Sequence, residues 1–363
     1  MTTKPKIAIL VTGGGTGGHV FPALSIALEL RSRGYAVTYV GSPRGMENRL
    51  VPPTGIPFIR VNSGGVKNQG LLKTLRALFV VASSVITCTR LIRQQRPKAV
   101  VGVGGYVSVP CCLAAFALRV PIYLQEQNAS VGIANRFLGR LARRIFLGFE
   151  PARRYFPEAK CEVTGNPLRE EFLARKIPPI EPDRRSLLVL GGSQGARAIN
   201  QAIALSLKRL TEEFPDVAIL HQTGANDLDA TRAAYEKHPP KRWQVVAFIE
   251  NMLDAYADAS LIVCRAGALT VAELLQVGRP AILVPYPRRG QNDQTANARV
   301  LEHEGLARVV EQGEMFQERL WSELQATFQP DQLRSMAGRA AALRRPRALA
   351  SICDRIQGDI GPA

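Results

Sequence analysis

The chain has 363 residues, 46% of them hydrophobic, and this length suits two domains of about 150 to 200 residues better than one. No apolar run reaches the roughly 18 to 20 residues of a membrane span, and the six cysteines and four histidines lack the spacing of a disulfide framework or a zinc site. The net charge of +17 lies almost entirely in residues 1–166, which carry 22 Lys and Arg against 6 Asp and Glu, and it predicts an anionic partner: nucleic acid, an acidic membrane surface or a phosphorylated substrate.

Short apolar runs alternate with helical patterns along the chain, and this alternation predicts parallel sheets built from βαβ units. The strands predicted in the first half are residues 7–11, 36–40, 99–103, 122–125 and 145–147. Those predicted in the second half are residues 187–190, 218–222, 244–248, 261–264 and 281–284. The predicted fold class is therefore α/β, with two doubly wound parallel sheets.

Turn residues cluster between the two halves, in the sequence VTGNPL at 163–168 and the proline-rich sequence IPPIEP at 177–182. We therefore expect an N-terminal domain at 1–164 and a C-terminal domain at 165–340. The arginine-rich tail at 341–363 has a helical pattern and is expected to pack back on the first domain. The first apolar run is shorter than that of a signal peptide, which favours a cytoplasmic location.

Two glycine-rich turns each follow a predicted strand and precede a helical pattern. The first reads GGGTGGH at 13–19, and the second reads GGSQG at 191–195. Glycines let the backbone approach an anion, and the N-terminus of the next helix offers N–H groups to a phosphate. Two such turns predict two nucleotide-type half-molecules facing a shared cleft. The first turn also matches a dinucleotide fingerprint, but no acid ends the second strand and Glu47 comes late, which disfavours that interpretation.

Two side chains beside these turns are candidates for chemistry. His19 directly follows the first turn, where it is either a base, an acid or a phosphate ligand, or only a hydrogen-bond partner of the turn. A third small-residue turn at 264–267 opens a helix that carries Glu273 one turn in. Its N–H groups suit a diphosphate, and Glu273 can accept hydrogen bonds from vicinal sugar hydroxyls, although acids near helix N-termini are also common without such a role.

Six motifs in order resemble the MurG family, the UDP-N-acetylglucosamine (UDP-GlcNAc) transferases that convert lipid I to lipid II in peptidoglycan synthesis. The match extends from about residue 6 to about residue 310. The motifs are GGTGGHVFP at 14–22, GVGGYVS at 102–108, QEQN at 125–128, GNPLR at 165–169, GGSQG at 191–195 and GALTVAE at 267–273. The resemblance implies an inverting GT-B glycosyltransferase that uses no metal or cofactor, with two Rossmann-like domains facing a cleft. It also implies a peripheral enzyme on the cytoplasmic face of the cell (inner) membrane.

The resemblance further implies where the substrates bind. UDP-GlcNAc would lie mainly on the second domain, with Ser193 at the diphosphate, the backbone of Ile249 at uracil and Glu273 at the ribose. The other positions that match donor contacts of the family are Thr16, Gly17, Gly18, Asn128, Arg169, Ala268, Leu269, Thr270, Val271, Ala272, Gln294 and Asn297. The positions assigned to the pyrophosphate of lipid I are Gly14, Gly15, Gly104, Gly105 and Tyr106.

The chemistry implied by the resemblance is attack of the acceptor's C4 hydroxyl on the anomeric carbon of the donor, from the face opposite UDP. Helix dipoles and N–H donors can stabilise the leaving diphosphate in place of a metal. The only Asp-x-Asp triplet, at 227–229, is interpreted as a solvated loop. A base for the C4 hydroxyl must lie close to it; His19 is the first candidate and Glu126 the second.

A possible membrane contact is the segment 65–95. Apolar residues recur there at helical spacing and basic residues flank them, which is typical of an interfacial helix on anionic lipid and equally of a helix packed on a core. The residues are Leu72, Leu75, Phe79, Ala82 and Ile86, with Lys67, Lys73 and Arg76. The rival functions are a GT-B enzyme with another acceptor, a sugar-nucleotide 2-epimerase, and a nucleic-acid module, which the 6% aromatic content disfavours. Other cell-wall enzymes are further candidate partners.

Overall fold

The computed structural model describes residues 6–62, 71–175, 177–181, 183–192, 195–287, 293–340 and 343–363, with the backbone alone at 71–78. The chain divides into two compact units, one formed by Met1–Arg169 with Arg345–Ala363 and the other by Glu170–Arg344. These divisions lie within five residues of the boundaries expected after 164 and 340.

The described part of the first unit holds a seven-stranded parallel sheet in the order β3-β2-β1-β4-β5-β6-β7. Its strands are β1 (Ala8–Thr12), β2 (Ala36–Gly41), β3 (Phe58–Arg60), β4 (Ala99–Gly102), β5 (Ile122–Glu126), β6 (Arg144–Leu147) and β7 (Cys161–Val163). The central strands are buried and mostly apolar because helices cover both faces of the sheet, and the polar residues Gln125 and Glu126 come at the end of β5. The edge strands β3 and β7 were not predicted, since three residues give too short a pattern to recognise.

Helices of the first unit lie between successive strands along the chain, as connections between parallel strands usually do. They are α1 (Gly17–Ser32), α2 (Glu47–Leu50), α3 (Leu71–Gln95), α4 (Ser108–Ala117) and α5 (Ile133–Leu141). The C-terminal half of α3 packs on the sheet through the buried residues Cys88, Leu91 and Ile92. Among the described helices, none combines the length and hydrophobicity needed to cross a bilayer.

The described part of the second unit holds a six-stranded parallel sheet in the order β10-β9-β8-β11-β12-β13. Its strands are β8 (Ser186–Leu190), β9 (Ala218–Gln222), β10 (Arg242–Val246), β11 (Leu261–Cys264), β12 (Ala281–Leu283) and β13 (Ala307–Val309). The strand expected at 244–248 lies two residues earlier, because the chain leaves the sheet after Val246 and turns at Ala247 and Phe248. The short edge strand β13 was not predicted.

An apolar core of the second unit includes the edge-on ring pair Phe214 and Phe328, and the described part of this unit holds eight helices. They are α6 (Glu170–Ala174), α7 (Arg197–Glu213), α8 (Leu228–Lys237), α9 (Met252–Asp258), α10 (Ala268–Val277), α11 (Asp293–His303), α12 (Phe316–Thr327) and α13 (Pro330–Gly338).

The last helix, α14 (Ala348–Ile360), belongs to the first unit, where it packs against α1. Its buried residues Ile352 and Ile356 join the core on that face of the sheet. Asp359 accepts hydrogen bonds from the Tyr123 hydroxyl (3.1 Å) and the Arg144 guanidinium (2.8 Å). The Arg144 hydrogen bond holds the pKa of the Asp359 carboxyl well below its usual range.

Candidate functional site

Both sheets reverse their strand order at one point, and the glycine-rich turns follow the strands on either side of it. In the first unit these strands are β1 and β4; in the second they are β8 and β11. Ligands of open α/β sheets bind at the carboxyl ends of the strands beside such a switch point. Each unit therefore has a candidate site at the place where the sequence has its turns.

The turn after β1 touches the turn after β4. The Gly14 N–H donates to the Gly104 carbonyl oxygen (3.4 Å), and a Cβ on Gly105 would overlap the carbonyl oxygen of Gly14. Gly104 and Gly105 also have φ angles of 109° and 79°, which side-chain-bearing residues rarely adopt. Both positions require glycine for the two turns to meet. Tyr106, which follows them, is about half exposed.

A buried carboxylate fastens the first turn. Glu47, which is fully buried, accepts hydrogen bonds from the N–H groups of Gly15 (3.0 Å) and Ser42 (2.8 Å). Glu47, which lies too far along the sequence for the ribose-binding acid of a dinucleotide fingerprint, thus supports the glycine-rich turn. The assignment of Gly14 and Gly15 to an acceptor pyrophosphate stays a prediction. Because the N–H groups of both residues already donate hydrogen bonds, these glycines would provide space for the pyrophosphate and not hydrogen-bond donors.

The N-terminus of α1 offers further donors. Its first i to i−4 bond is from the Val20 N–H to the Thr16 carbonyl oxygen (3.0 Å), so the N–H groups of Gly17 and Gly18 precede the helical ladder. Thr16 and Gly18 are exposed. Such an end, with its partial positive charge, suits a phosphate.

His19 is half-buried at the start of α1. Its Nδ1 lies 2.8 Å from Oε1 of Gln127, and a Cβ on Gly104 would come within 2.8 Å of the same nitrogen. The glycine after β4 therefore makes room for the ring. Gln127 belongs to one of the six motifs, but no local pattern indicates its contact with His19, which is 108 residues away.

Glu126 is buried at the end of β5, and amide groups surround its carboxylate. Oε1 accepts from the N–H (2.9 Å) and the side chain (3.2 Å) of Asn128, and Oε2 accepts from Nδ2 of Asn135 (2.9 Å). Burial raises the pKa of Glu126, while these donors and the nearby His19 oppose the rise. Asn135 was not singled out from the sequence. Its Oδ1 is buried and has no hydrogen-bond partner among the described residues.

The second unit forms its glycine turn between β8 and α7. The Gly191 N–H donates to the Gln222 carbonyl oxygen (2.9 Å), and the Gly195 N–H closes the turn on Gly192 (3.1 Å). Ser193, which is expected at the diphosphate, lies outside the described residues.

The turn after β11 presents the N-terminus of α10. The Val271 N–H donates to the Gly267 carbonyl oxygen (2.9 Å), so the N–H groups of Ala268, Leu269 and Thr270 precede the helical ladder. Val271 and Ala272 are buried, which leaves them the role of supporting the helix end.

Arg265, in the same turn, was not singled out as a site residue. It donates to the Val284 carbonyl oxygen (3.1 Å) and to Oε1 of Gln312 (2.7 Å), and its guanidinium lies 5.3 Å from the Tyr286 ring centre. Burial lowers its pKa. Its position directly after β11 could have indicated a site residue, because β11 lies beside the switch point and ligands bind at the carboxyl ends of such strands.

Glu273 and Ile249 are each held by a neighbouring side chain. Oε2 of the half-buried Glu273 accepts from the Tyr256 hydroxyl (3.1 Å), and the Ile249 N–H donates to Oε1 of Gln222 (2.8 Å). The N–H of Ile249 is thus engaged, and its carbonyl is the backbone group left to recognise a base.

The remaining expected donor contacts differ in exposure. Gln294 is half-buried and accepts from the Tyr286 N–H (2.9 Å), whereas Asn297 is fully buried and donates to the Ala266 carbonyl oxygen (3.2 Å), behind the α10 turn. Asn128 is half-buried and Arg169 is exposed. No cluster of three or more metal-ligating side chains occurs in the described ranges.

Comparisons with known proteins agree with this geometry. Residues 9–147 match the glycosyltransferase family 28 N-terminal domain, and residues 186–352 match the family 28 C-terminal domain. The chain is 40% identical over 350 residues to a Myxococcus xanthus protein, covering 95% of this chain and 91% of that protein. It is 41% identical over 351 residues to one from Azotobacter vinelandii, covering 95% and 97%. Both are named UDP-N-acetylglucosamine--N-acetylmuramyl-(pentapeptide) pyrophosphoryl-undecaprenol N-acetylglucosamine transferase.

Solved structures show the same fold. The crystal structure of Acinetobacter baumannii MurG matches with a TM-score of 0.83 and 36% identity, covering 98% of this chain and all of that one. A UDP-GlcNAc 2-epimerase from Neisseria meningitidis matches with a TM-score of 0.61 and 16% identity over 97% and 100%, a likeness of fold alone. The predicted GT-B fold class is confirmed, and the chain belongs to the MurG family of N-acetylglucosamine transferases, built from the two domains of glycosyltransferase family 28.

Proposed function

We propose that the chain transfers GlcNAc from UDP-GlcNAc to the C4 hydroxyl of the N-acetylmuramoyl group of lipid I, with inversion, and so forms lipid II for peptidoglycan synthesis. The observation that carries the proposal is the pair of turns at both switch points. The second unit combines the N-terminus of α10 with Glu273, and the first combines the N-terminus of α1 with His19.

The second unit is proposed to bind the donor. The N–H groups at the start of α10 would receive the diphosphate together with Ser193, and Glu273 would accept hydrogen bonds from the ribose hydroxyls. The carbonyl of Ile249 would accept from uracil. As the bond to the sugar breaks, negative charge grows on UDP, and the helix dipole with Arg265 would stabilise it.

Other donor contacts remain proposals of the same kind. Gln294 would reach the sugar hydroxyls, and Asn297 would act through the turn that it supports. The contacts of the first unit implied by the family resemblance are Thr16, Gly17, Gly18, Asn128 and Arg169.

The first unit is proposed to bind lipid I. Its excess positive charge suits a pyrophosphate, and the turns at Gly104, Gly105 and Tyr106 lie at the switch point beside His19. His19 is the proposed base, because Glu126 is buried and already accepts three N–H bonds.

We also propose that the first unit attaches the enzyme to the cytoplasmic face of the cell (inner) membrane. Phe79, Ala82 and Ile86 on α3 are exposed at helical spacing, and Ile133 and Phe137 on α5 are exposed as well. Such residues beside basic ones are typical of a surface that contacts anionic lipid.

The other expected lipid contacts of the segment 65–95 lie outside the residues whose side chains are described. These are Leu72, Leu75, Lys67, Lys73 and Arg76. Contact with other cell-wall enzymes remains a prediction of the family resemblance.

The test is transfer of radiolabelled GlcNAc from UDP-GlcNAc to a lipid I analogue in EDTA. We expect metal-free transfer by the wild type, and a loss of about 100-fold or more in kcat/KM in Glu273→Ala and His19→Ala. A general base typically contributes that much, and each hydrogen bond from a ribose hydroxyl to the Glu273 carboxylate contributes about 1.5 to 3 kcal/mol to donor binding. Glu236→Ala and His238→Ala remove exposed side chains of the same types and should transfer normally.

Two outcomes would redirect the proposal. A wild type that binds UDP-GlcNAc but leaves the lipid unlabelled would indicate a different acceptor. Conversion of UDP-GlcNAc to its 2-epimer without an acceptor would instead establish an epimerase.

A further inference from the structure

The His19 ring contacts an amide whose orientation is fixed by its surroundings. The Nε2 group of Gln127 lies 2.8 Å from the Val103 carbonyl oxygen and 3.1 Å from that of Gln125. Carbonyl oxygens only accept hydrogen bonds, so the NH2 end of Gln127 must face them. Its Oε1 therefore faces Nδ1 of His19, at 2.8 Å.

A closed set of buried amides holds Gln127 in this orientation. Nε2 of Gln127 also donates to Oε1 of Gln125, whose own Nε2 donates to Oδ1 of Asn166 (3.0 Å). Nδ2 of Asn166 donates back to the Gln127 carbonyl oxygen (3.0 Å). All three side chains are at least 95% buried, so reversing one amide would place donor against donor or acceptor against acceptor away from the protein surface. The family motif at 165–169 thereby gains a physical role through Asn166.

We propose that Gln127 is a positioning residue that holds the neutral His19 ring in the tautomer with its proton on Nδ1 and a lone pair on Nε2. An acceptor opposite Nδ1 requires a donor there, and a neutral imidazole has only one N–H. The catalytic consequence rests on the proposed function: in this tautomer, Nε2 is the atom that can take the proton of the acceptor hydroxyl.

The proton balance of the transfer uses that lone pair. As the C4 oxygen of the acceptor bonds to the anomeric carbon, the bond from that carbon to UDP breaks and UDP leaves with the electron pair. The hydroxyl proton passes to Nε2, and the ring becomes an imidazolium. Oε1 of Gln127 still accepts from Nδ1, and the buried carboxyl group of Glu126 interacts electrostatically with His19.

In the second unit, the hydrogen bonds of His221 fix the opposite tautomer, so this histidine serves as an internal reference. Nδ2 of Asn200 donates to the Thr223 carbonyl oxygen (3.0 Å) and to Asp227 (2.8 Å), so its Oδ1 must accept from Nε2 of His221, at 3.1 Å. Nδ1 of His221 then accepts from the Tyr235 hydroxyl (3.1 Å). His221 is fixed with its proton on Nε2, the tautomer opposite to that inferred for His19.

Nitrogen NMR of the full chain with ¹⁵N-labelled histidine tests the tautomers directly. The shifts of the two ring nitrogens show which one carries the proton, and the four histidines are assigned by single substitutions. At a pH where the rings are neutral, we expect the proton of His19 on Nδ1 and that of His221 on Nε2. A wild-type His19 with its proton on Nε2 would overturn the proposal, whatever the enzyme transfers.

Gln127→Met removes the acceptor and keeps the side-chain length. We expect the Nε2–H tautomer of His19 to appear, and kcat to fall about tenfold with little change in KM for UDP-GlcNAc. His221 should be unchanged in the same spectrum, which controls for the fold. Gln94→Met, an exposed glutamine on α3, is the matched control. An unchanged tautomer in Gln127→Met would contradict the inference.

Gln127→Glu separates the acceptor from the rest of the network, because a carboxylate still accepts from Nδ1–H. We expect it to keep the Nδ1–H tautomer and to move the acidic limb of the kcat profile to higher pH, since the negative charge favours the imidazolium. Loss of the tautomer in this variant, as in Gln127→Met, would show that the acceptor does not set it. Absence of transfer by the wild type would refute the proposed function and leave these spectra interpretable.

Discussion

Each unit holds a histidine ring against an amide oxygen, but the two rings differ in burial and in how many of their nitrogens are hydrogen-bonded. His221 is fully buried, and both of its nitrogens are bonded, one to Asn200 and one to Tyr235. His19 is half-buried, and Gln127 binds only one of its nitrogens among the hydrogen bonds of the described residues. The His221 ring is therefore suited to stabilising the fold, whereas proton exchange is the role proposed for the His19 ring.

This comparison shows how similar hydrogen-bonding arrangements can serve either stability or catalysis. Both histidines depend on an amide that backbone carbonyls orient, so the local device is the same. Burial decides its use, because a ring without access to solvent or substrate stays neutral. Burial lowers the pKa of His221 to about 3, which removes it from acid–base chemistry near neutral pH.

The largest expected effect is on stability, from His221→Ala. The substitution leaves a cavity and deprives the buried Tyr235 hydroxyl and Asn200 amide of a partner, so we expect a loss of about 3 kcal/mol in the free energy of unfolding. Trp243 and Trp321 both belong to the second unit, and their fluorescence in urea follows its unfolding. The folded variant should keep its transfer rate. A stable variant with impaired transfer would remove the distinction between the two histidines.

The second prediction concerns acid. An unfolded histidine titrates near pH 6.5, while His221 titrates at about 3 in the fold. Between these values the unfolded chain binds a proton that the folded chain does not. The free energy of unfolding should therefore fall with falling pH by about 1.4 kcal/mol per pH unit, and this contribution should be absent above pH 6.5.

Comparison of the wild type with His221→Gln isolates this contribution from that of the carboxylates. The difference in unfolding free energy between the two proteins should change with pH below 6.5. His238→Gln, at an exposed position, should follow the wild type at every pH. Parallel curves for the wild type and His221→Gln would show that His221 is not the titrating group.

Local patterns were enough to predict much of the fold. The strands β1, β8 and β11 are apolar runs that end in glycine or small residues, and both signals lie within about ten residues of sequence. The order of the strands was not predicted, because alternation of strands with helices is compatible with more than one parallel arrangement. Three-residue edge strands such as β7 were missed because they carry too little hydrophobic pattern.

The site was less predictable, because its side chains meet across long stretches of chain. His19 and Gln127 are 108 residues apart, and Gly15 and Glu47 are 32 apart. His19 was a candidate because it follows the first glycine-rich turn, and Glu126 was one because of the family resemblance. No local pattern indicates which amide orients which ring. Asn135 was missed for the same reason, since a polar residue on a helix appears exposed until the packing of α5 is known.

The units differ also in their apolar surfaces, which leads to a third prediction. Ile133 is 86% exposed and Phe137 47% on α5, near Arg136 and Arg140. Ile133→Ser with Phe137→Ser should weaken co-sedimentation with phosphatidylglycerol vesicles about tenfold, since part of the 1.5–3 kcal/mol of each buried side chain is lost. Leu205→Ser, at a 66% exposed position of the second unit, should have no effect. Equal effects of the two substitutions would place the lipid contact elsewhere.

The last prediction concerns Tyr256, which holds Glu273 in the second unit as Gln127 holds His19 in the first. Tyr256→Phe keeps the ring packed edge-on against Phe172 and removes only the hydroxyl that donates to Glu273 (3.1 Å). Loss of one such bond should cost about 1 kcal/mol in orientation, which is about a fivefold rise in KM for UDP-GlcNAc. Because the ribose lies away from the reacting bond, kcat should stay the same. Tyr35→Phe, which loses a hydroxyl bonded to Gly361 in the first unit, is the control. A fall in kcat at unchanged KM would mean that Glu273 acts on the chemical step and does not merely hold the donor.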